Sequence, residues 1–135
     1  MNKEHPVKFE RVMIIDDTPI DLFIAAHLIM RDNFGGKVLQ YSNGLEAIKY
    51  LQTNVDNFHL LPNLIFVDIY MPIMNGFQFL EAYEQLPSKL KDHCKVFVVS
   101  STSDSFDIER VRNDKNVVGF KEKPITMDFL ASILV

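Results

Sequence analysis

The sequence predicts an α/β fold in which a five-stranded parallel sheet is covered by helices on both faces. Five short apolar runs, rich in β-branched and aromatic residues, alternate with segments of helical spacing; the runs lie at residues 12–15, 38–41, 64–67, 96–99 and 117–120. They show little alternation of apolar and polar residues, as expected for strands that are covered on both faces. Because each parallel crossover needs a right-handed helical connection, the alternation predicts one doubly wound domain.

The first helix is predicted from residue 18 onward. Thr18 supplies an N-cap residue, Pro19 a proline at the first helical position, and Asp21 an acid three residues after the cap. The apolar positions at helical spacing are Ile20, Phe23, Ile24, His27 and Leu28. We interpret His27 as a partly exposed or hydrogen-bonded histidine rather than a ligand, since the other histidines are scattered without metal-ligand spacing.

Four further helices are predicted after the second, third, fourth and fifth runs. Two of them begin at the turn residues Asn43-Gly44 and at Gly76, and the other two cover residues 104–112 and 126–134. Their apolar positions are Ala47, Ile48 and Leu51; Phe79, Leu80 and Tyr83; Ile108 and Val111; and Phe129, Leu130, Ile133 and Leu134. The second apolar run contains Gln40 and is the most mixed, which favours an edge strand.

The composition is typical of one globular domain in a reducing compartment. Of 135 residues, 47% are hydrophobic and 24% are charged. The formal charge of −4, from 18 acidic and 14 basic residues, provides no basic field for a nucleic-acid backbone. Cys94 is a single cysteine, and no apolar run approaches the roughly 20 residues of a membrane-spanning helix. We therefore expect a cytoplasmic protein that contacts neither nucleic acid nor membrane directly.

Three carboxylates follow two of the predicted strands. Asp16 and Asp17 come directly after the first run, and Asp68 directly after the third. In an open parallel sheet, ligands bind beyond the carboxyl ends of the strands, so the three side chains are expected to converge there. Because adjacent carboxylates repel one another, they must hold protons or bind a cation, and oxygen ligands favour a hard ion such as Mg²⁺. Phosphate chemistry with a carboxylate as nucleophile is compatible with such a site.

A hydroxyl and an ammonium are predicted at the same edge of the sheet. Ser100 directly follows the fourth run, and Lys123 lies just past the fifth and precedes Pro124. A serine hydroxyl can donate to a phosphoryl oxygen, and a lysine can pair with its charge. Taken singly, each of these residues is a weak signal, because hydroxyls commonly cap helices and exposed lysines are usually solvated.

Together these residues resemble the receiver domains of two-component response regulators. The resemblance is carried by Asp16-Asp17, by Asp68 with the tail Met71-Pro72-x-Met74-Asn75-Gly76, by Ser100, by Phe120 and by Lys123-Pro124. It spans nearly the whole chain and implies a flavodoxin-like sheet of order 2-1-3-4-5 with five helices. It also implies a lead-in at residues 1–10 and a receiver domain at 11–135, of the stand-alone type that has no output domain.

The resemblance implies a role for each matching residue. Asp68 is the expected phosphoacceptor. Mg²⁺, or Mn²⁺, would be held by Asp16, Asp17, Asp68 and the backbone carbonyl of Tyr70. Ser100, Phe120 and Lys123 are the expected phosphate-binding and switch residues, and the Lys123-Pro124 bond is expected to be cis. Tyr70 and Thr102 occupy positions that influence how water reaches the acyl phosphate in receivers, so we expect them to tune kinetics.

The implied function is a phosphorylation-controlled switch rather than an enzyme, with only autocatalytic phosphotransfer and self-dephosphorylation. The expected donor is a histidine kinase or a histidine phosphotransfer protein, and the face at residues 106–134 is expected to bind a downstream target or a second copy. Two alternatives stay open at this point. One is a Mg²⁺-dependent aspartyl-phosphate phosphatase, although Tyr70 and Thr18 stand where such an enzyme usually has a second acid. The other is a degenerate receiver that serves only for docking.

Overall fold

The sheet has the predicted parallel arrangement. A computed structural model describes residues 6–134. Within these residues the strands are β1 (Phe9–Ile15), β2 (Gly35–Tyr41), β3 (Leu64–Val67), β4 (Lys95–Ser100) and β5 (Val117–Glu122). All neighbouring strands are parallel and lie in the order β2-β1-β3-β4-β5. The doubly wound fold and its strand order are therefore confirmed, with β2 at an edge.

The described residues form six α-helices, one more than the sequence predicts. They are α1 (Pro19–Met30), α2 (Gly44–Thr53), α3 (Gly76–Glu84), α4 (Ser88–His93), α5 (Ser105–Arg112) and α6 (Met127–Ser132). The additional helix, α4, follows Pro87 and buries only Leu90 among its 6 residues, so it has no apolar period that could reveal it. Helix α6 is shorter than the predicted segment 126–134. Between residues 6 and 134, no helix combines the length and apolarity needed to cross a bilayer.

Helices cover both faces of the sheet and enclose two apolar cores. Met13 and Ile15 of β1 enter the core beneath α2, α3 and α5, whereas Val12 and Ile14 enter the core beneath α1 and α6. Alternate residues of one strand thus serve opposite cores, as the two-residue period of a strand requires. Strand β3 lies between both cores, and its residues are at most 1% exposed. Burial of each such side chain contributes about 1.5–3 kcal/mol.

Strand β1 begins earlier than the apolar run from which it was predicted. Phe9 is buried and pairs with Gly35 of β2, and its backbone N–H donates to the Phe34 carbonyl at 2.8 Å. Part of the predicted lead-in 1–10 is therefore strand. Residues 1–5 of that segment lie outside the described residues.

Helix α1 does not bury the apolar positions from which it was predicted. Its buried residues are Ala25 and Ile29, whereas Ile20, Phe23 and Ile24 are 59%, 67% and 43% exposed. The helix is apolar on nearly all sides, so its periodicity predicts a helix without identifying the side that packs on the sheet. Apolar surface therefore remains on the outside of α1, and Ile24 borders the pocket that contains Asp16 and Asp68.

Candidate functional site

Asp16 and Asp68 follow two neighbouring strands at the carboxyl edge of the sheet. The residues before them, Ile15 and Val67, are paired in the β1–β3 register. The N–H of Asp16 donates to the Tyr41 carbonyl at 3.0 Å, and the N–H of Asp68 donates to the Ile15 carbonyl at 3.0 Å. The sheet hydrogen bonding thus continues into both acids. Both are buried, and their positions are set by the backbone rather than by flexible loops.

Asp17 joins these two residues in a group of three carboxylates. Asp16, Asp17 and Asp68 each offer one carboxylate oxygen, and the three oxygens lie within 4.8 Å of one another. The convergence predicted from strand ends is therefore present. A donor set made only of oxygens suits Mg²⁺ or Mn²⁺, so these residues fit the ion that the resemblance implies. The carbonyl of Tyr70 stays a predicted ligand.

The ammonium of Lys123 is surrounded by carboxylates. Its Nζ lies 2.7 Å from Asp16 Oδ2, 2.8 Å from Asp21 Oδ2 and 2.9 Å from Asp68 Oδ2. The lysine side chain is only 16% exposed. The sequence placed Lys123 at this edge, and the structure brings it into direct contact with the predicted acceptor. Its contact with Asp21 was not predicted.

Burial and ion pairing shift the pKa values of this cluster. Burial alone would lower the pKa of Lys123, but its hydrogen bonds to Asp16, Asp21 and Asp68 outweigh that effect and raise the pKa above the ordinary value of 10.5. Burial raises the pKa of Asp16 above its ordinary value of 3.8, and the bonds from Lys123 and from the Thr18 N–H only partly offset the rise. Lys123 is therefore held as an ammonium, whereas burial disfavours the charged form of the Asp16 carboxylate.

The start of α1 differs from the predicted capping arrangement. Thr18 is the N-cap residue, but among the described residues its side chain makes no cap hydrogen bond. Its backbone N–H instead donates to Asp16 Oδ1 at 2.9 Å. Asp21, predicted as the acid of the first helical turn, directs its carboxylate to Lys123. Both aspartates therefore serve the site as well as the helix start.

The loop after Asp68 orients its carboxylate through one backbone N–H and packs closely against its backbone. The N–H of Ile69 donates to Asp68 Oδ1 at 2.7 Å, and the N–H of Gly76 donates to the Ile69 carbonyl at 2.6 Å. A Cβ at Gly76 would lie 2.4 Å from the Asp68 carbonyl oxygen, so only glycine permits this approach. Asn75 and Gln78 form a reciprocal capping box that begins α3 directly behind the loop.

Two of the predicted switch residues, Ser100 and Phe120, lie on β4 and β5, and the third, Lys123, directly follows β5. Ser100, the last residue of β4, is fully buried, and its Oγ accepts from the Thr102 N–H at 3.3 Å. Its carbonyl accepts from the Lys123 N–H at 2.9 Å, which ties the two residues together through the backbone. Phe120 is half-buried and packs against the core beneath α2, α3 and α5. The Lys123-Pro124 peptide bond is cis.

The two predicted kinetics-tuning residues, Tyr70 and Thr102, donate hydrogen bonds to the same carboxylate oxygen. The Tyr70 hydroxyl donates to Asp107 Oδ2, and the Thr102 hydroxyl donates to the same oxygen at 3.0 Å. Asp107 lies in the first turn of α5. The loop after Asp68 and the loop after Ser100 are thus joined at the Asp107 carboxylate. This residue was not predicted from the sequence.

The whole arrangement agrees with the comparison against protein families. The sequence model of the family described as the response regulator receiver domain matches residues 12–135. The chain belongs to this family. The buried acids after β1 and β3, the hydroxyl at the end of β4 and the lysine after β5 all lie within the matched residues.

Solved structures have the same receiver fold. A two component response regulator from Cytophaga hutchinsonii superposes with a TM-score of 0.84 at 26% identity, over 92% of each chain. A response regulator receiver protein from Dyadobacter fermentans superposes with a TM-score of 0.80 at 28% identity, over 90% of this chain and 91% of that one.

Curated relatives contain the receiver domain within much longer proteins. The sensor histidine kinase GacS of Pseudomonas protegens is 27% identical over 125 residues, which make up 93% of this chain and 13% of that protein. The chain therefore spans a small part of the length of the first curated relatives that it matches. The likeness concerns the receiver domain and not the other parts of those proteins.

Two residues at the site of this receiver domain were missed from sequence. Asp21 had an evident local role as an acid in the first helical turn, so nothing in the sequence pointed from it to Lys123. Asp107 likewise reads as an acid near the start of a helix. Each was found only because the fold brings its helix start against a loop that is remote in sequence.

Proposed function

We propose that the protein is a phosphorylation-controlled signalling switch in which Asp68 accepts a phosphoryl group. The proposal rests on the contact of Lys123 Nζ with Asp68 Oδ2 at 2.9 Å, inside a carboxylate group suited to a divalent ion. The ammonium is positioned to neutralise the oxygens that a phosphoryl group would bring to Asp68. The donor in this proposal is a histidine kinase or a histidine phosphotransfer protein, in keeping with the family.

The proposed transfer is a substitution at phosphorus. A carboxylate oxygen of Asp68 forms the new O–P bond while the P–N bond to the donor histidine breaks. The electron pair of the broken bond stays on the imidazole nitrogen, which takes up a proton. With acetyl phosphate as donor, a P–O bond breaks instead and acetate leaves. The N–H of Ile69, 2.7 Å from Oδ1, keeps the Asp68 carboxylate in one orientation.

We propose Mg²⁺, or Mn²⁺, as the cofactor, held by Asp16, Asp17, Asp68 and the Tyr70 carbonyl. When bound, the ion would supply positive charge that stabilises the oxygens of the transferring group. The charge balance of the site supports this assignment. Two carboxylates about 4 Å apart repel by roughly 4 kcal/mol at an effective dielectric near 20, and the cluster contains more carboxylates than its single ammonium can neutralise.

The added phosphoryl charge is read by Ser100 and Lys123 in this proposal. The Ser100 hydroxyl is buried at the same edge, where it could donate to a phosphoryl oxygen, and Phe120 on the neighbouring strand would change position with it. The output is the face at residues 106–134, which would bind a downstream protein or a second copy of the chain. Phosphorylation can shift this face only if the phosphoryl group contacts two states of the protein unequally.

We propose that the donor contacts the exposed apolar side chains of α1. Ile24 and Asp21 line the same pocket as Asp68 and Lys123, and Ile20 and Phe23 lie on the exposed part of that helix. A protein that brings a phosphohistidine to Asp68 must approach this edge of the sheet. Burying apolar groups there would add binding energy close to the reacting atoms.

We propose that Tyr70 and Thr102 set the lifetime of the phosphorylated form. Tyr70 lies two residues after Asp68, and its hydroxyl is tied to Asp107 together with that of Thr102. A ring held in this way can shield the acyl phosphate from water. The geometry supports a long-lived phosphorylated form.

The phosphatase alternative is not supported. An aspartyl-phosphate phosphatase typically has a second acid two residues after its nucleophile, and this chain has Tyr70 after Asp68 and Thr18 after Asp16. The family match also favours a phosphoacceptor switch. We propose that the chemistry of the protein is limited to its own phosphorylation and self-dephosphorylation. The presence of all the expected groups argues against a receiver that has kept only a docking role.

Incubation with Mg²⁺ and acetyl phosphate tests the proposal. Intact-mass measurement should find one acid-stable, base-labile phosphoryl adduct on the wild type and none on Asp68→Asn. Repeated turnover of an exogenous phosphoester by the wild type would favour the phosphatase instead. An adduct of equal yield on Asp68→Asn would show that another residue is the acceptor.

A further inference from the structure

Asp21 makes a contact at the site that none of the roles described so far explains. Its Oδ2 lies 2.8 Å from Lys123 Nζ. With the bonds to Asp16 and Asp68, it completes a set of three carboxylates around an ammonium that has three N–H donors. The Lys123 ammonium donates hydrogen bonds to Asp21 and Asp68, and one of the three carboxylates around it belongs to a residue outside the family motif from which the site was predicted.

The helix start does not account for the direction of the Asp21 side chain. In a capping box, the acid at this position would accept from the backbone N–H of the N-cap residue. Here the Thr18 N–H donates to Asp16 Oδ1 at 2.9 Å, and the Asp21 carboxylate points to Lys123. The Asp21 side chain is 36% exposed, whereas that of Lys123 is 16% exposed, so the pair lies at the mouth of the pocket with the lysine on its inner side.

We propose that Asp21 is a positioning residue that holds the Lys123 ammonium beside Asp68 during phosphoryl transfer. This inference rests on the proposed function. In that reaction an oxygen of Asp68 enters a new O–P bond, and Asp16 is a candidate metal ligand. Both carboxylates therefore lose strength as acceptors for Lys123. Asp21 keeps its full charge throughout, because no bond to it forms or breaks.

The length of the lysine side chain explains why such an anchor matters. A lysine has four rotatable bonds, and fixing them costs conformational entropy. Without Asp21, an ammonium released by Asp16 and Asp68 would move toward solvent at the pocket mouth. With Asp21 in place, one N–H stays bound while the others turn toward the phosphoryl oxygens, so the cation is already oriented when the charge arrives.

Phosphorylation rates of the full chain test this role. With acetyl phosphate, at a Mg²⁺ concentration that saturates each variant, Asp21→Ala should be phosphorylated about tenfold more slowly than wild type. Asp21→Asn keeps an acceptor oxygen without the charge and should be intermediate. The matched control is Asp56→Ala, which also removes a carboxylate from a lysine: Asp56 pairs with Lys89 at 2.6 Å on the exposed surface. The control should react at the wild-type rate.

A double-mutant cycle separates positioning from a general effect on the helix. If Asp21 acts through Lys123, then Asp21→Ala should add less than about a twofold change to Lys123→Met. Urea unfolding without metal should be measured for the wild type, Asp21→Ala, Lys123→Met and the double variant. The effects of the two substitutions on the free energy of unfolding should also be coupled, and this measurement does not depend on phosphorylation. The unfolding curves would reveal a variant that fails to fold. If Asp21→Ala does not fold, Asp21→Asn replaces it in the cycle.

The outcomes distinguish this inference from the proposed function. A wild type that forms no adduct overturns both. A wild type that forms the Asp68 adduct, together with an Asp21→Ala rate within about twofold of it, overturns only the positioning role. Additive effects of Asp21→Ala and Lys123→Met would overturn it as well, since Asp21 would then act independently of the lysine.

Discussion

Within residues 6–134, two clusters each surround one charge with opposite charges, and they differ in how exposed the surrounding groups are. Lys123 lies at the carboxyl edge of the sheet among Asp16, Asp21 and Asp68 and is 16% exposed. Glu84, at the end of α3, contacts Lys91 at 3.1 Å and Lys115 at 2.8 Å. It also accepts from the Asn116 side chain at 2.8 Å. Lys115 is 76% exposed, whereas the side chains of Asp16 and Asp68 are 8% exposed.

The difference shows that the number of ion pairs does not identify a functional site. The contact distances of the two clusters are similar, but exposed pairs are screened by water and salt and contribute little. In the Lys123 cluster the buried carboxylates outnumber the cation, and this deficit of positive charge favours binding of a divalent ion. Position at the strand ends and burial, rather than ion pairing itself, distinguish the Lys123 cluster as the candidate site.

Removal of Mg²⁺ should have the largest effect, because only the Lys123 cluster is proposed to bind the ion. We expect chelation by EDTA to slow phosphorylation of Asp68 by acetyl phosphate by about 100-fold or more, because unneutralised carboxylates repel the incoming group. The rate is measured from the time course of the intact-mass adduct. Equal rates with and without EDTA would contradict a metal role.

Calorimetric titration with Mg²⁺ supplies the matched comparison. Asp17 is exposed, so Asp17→Asn should weaken binding without disturbing the core. Glu84→Gln, at the other cluster, should bind Mg²⁺ with wild-type affinity. A similar loss in both variants would show that binding reflects overall charge and not the predicted site.

Loss of a lysine should cost far more stability at the Lys123 cluster than at Glu84. Lys123→Met leaves Asp16 and Asp68 buried without their cation, and we expect the free energy of unfolding to fall by about 3 kcal/mol. Urea unfolding without Mg²⁺ measures this free energy. The control is Lys115→Met, which removes an exposed lysine from Glu84. Added Mg²⁺ should restore part of the loss, since it binds the folded acids. Equal effects of the two substitutions would remove the distinction between the clusters.

Substitution of Tyr70 tests whether its ring protects phosphorylated Asp68 from hydrolysis. Tyr70→Asn should shorten the lifetime of the phosphorylated form several-fold, because the ring no longer shields the acyl phosphate from water. Tyr70→Phe keeps the ring without the bond to Asp107 and should retain most of the lifetime. Decay of the adduct after removal of acetyl phosphate gives the rates, and equal or slower loss in Tyr70→Asn rejects the shielding role.

The smallest effect is expected for Glu84, and it should depend on pH. Hydrogen bonds from Lys115 above all, then Asn116 and Lys91, lower the pKa of Glu84 from 4.5 to about 2. Its stabilisation is therefore present above the ordinary pKa and is lost as the pH falls through about 2. The difference in unfolding midpoint between wild type and Glu84→Gln should be small at neutral pH and vanish in strong acid. A difference that grows in acid would contradict this assignment.

Most of the fold and three of the four residues of the lysine cluster could be predicted from sequence. Asp16, Asp68 and Ser100 each directly follow an apolar run, Lys123 lies just past another, and parallel strands bring their carboxyl ends to one edge of a sheet. The order of these residues along the chain was therefore enough to predict their convergence. Helix α4 could not be predicted, because Leu90 is its one buried residue and provides no period.

Local pattern determined the strands, most helix starts and the acids that follow β1 and β3, because these features depend on neighbours in the chain. Tertiary packing decided which side of α1 is buried, and it turned Asp21 to Lys123 and Asp107 to Tyr70 and Thr102. A helix that is apolar on nearly all sides can pack in several orientations, and an acid near a helix start has an adequate local role. Which contact such residues make depends on groups that are remote in sequence and meet only in the folded chain.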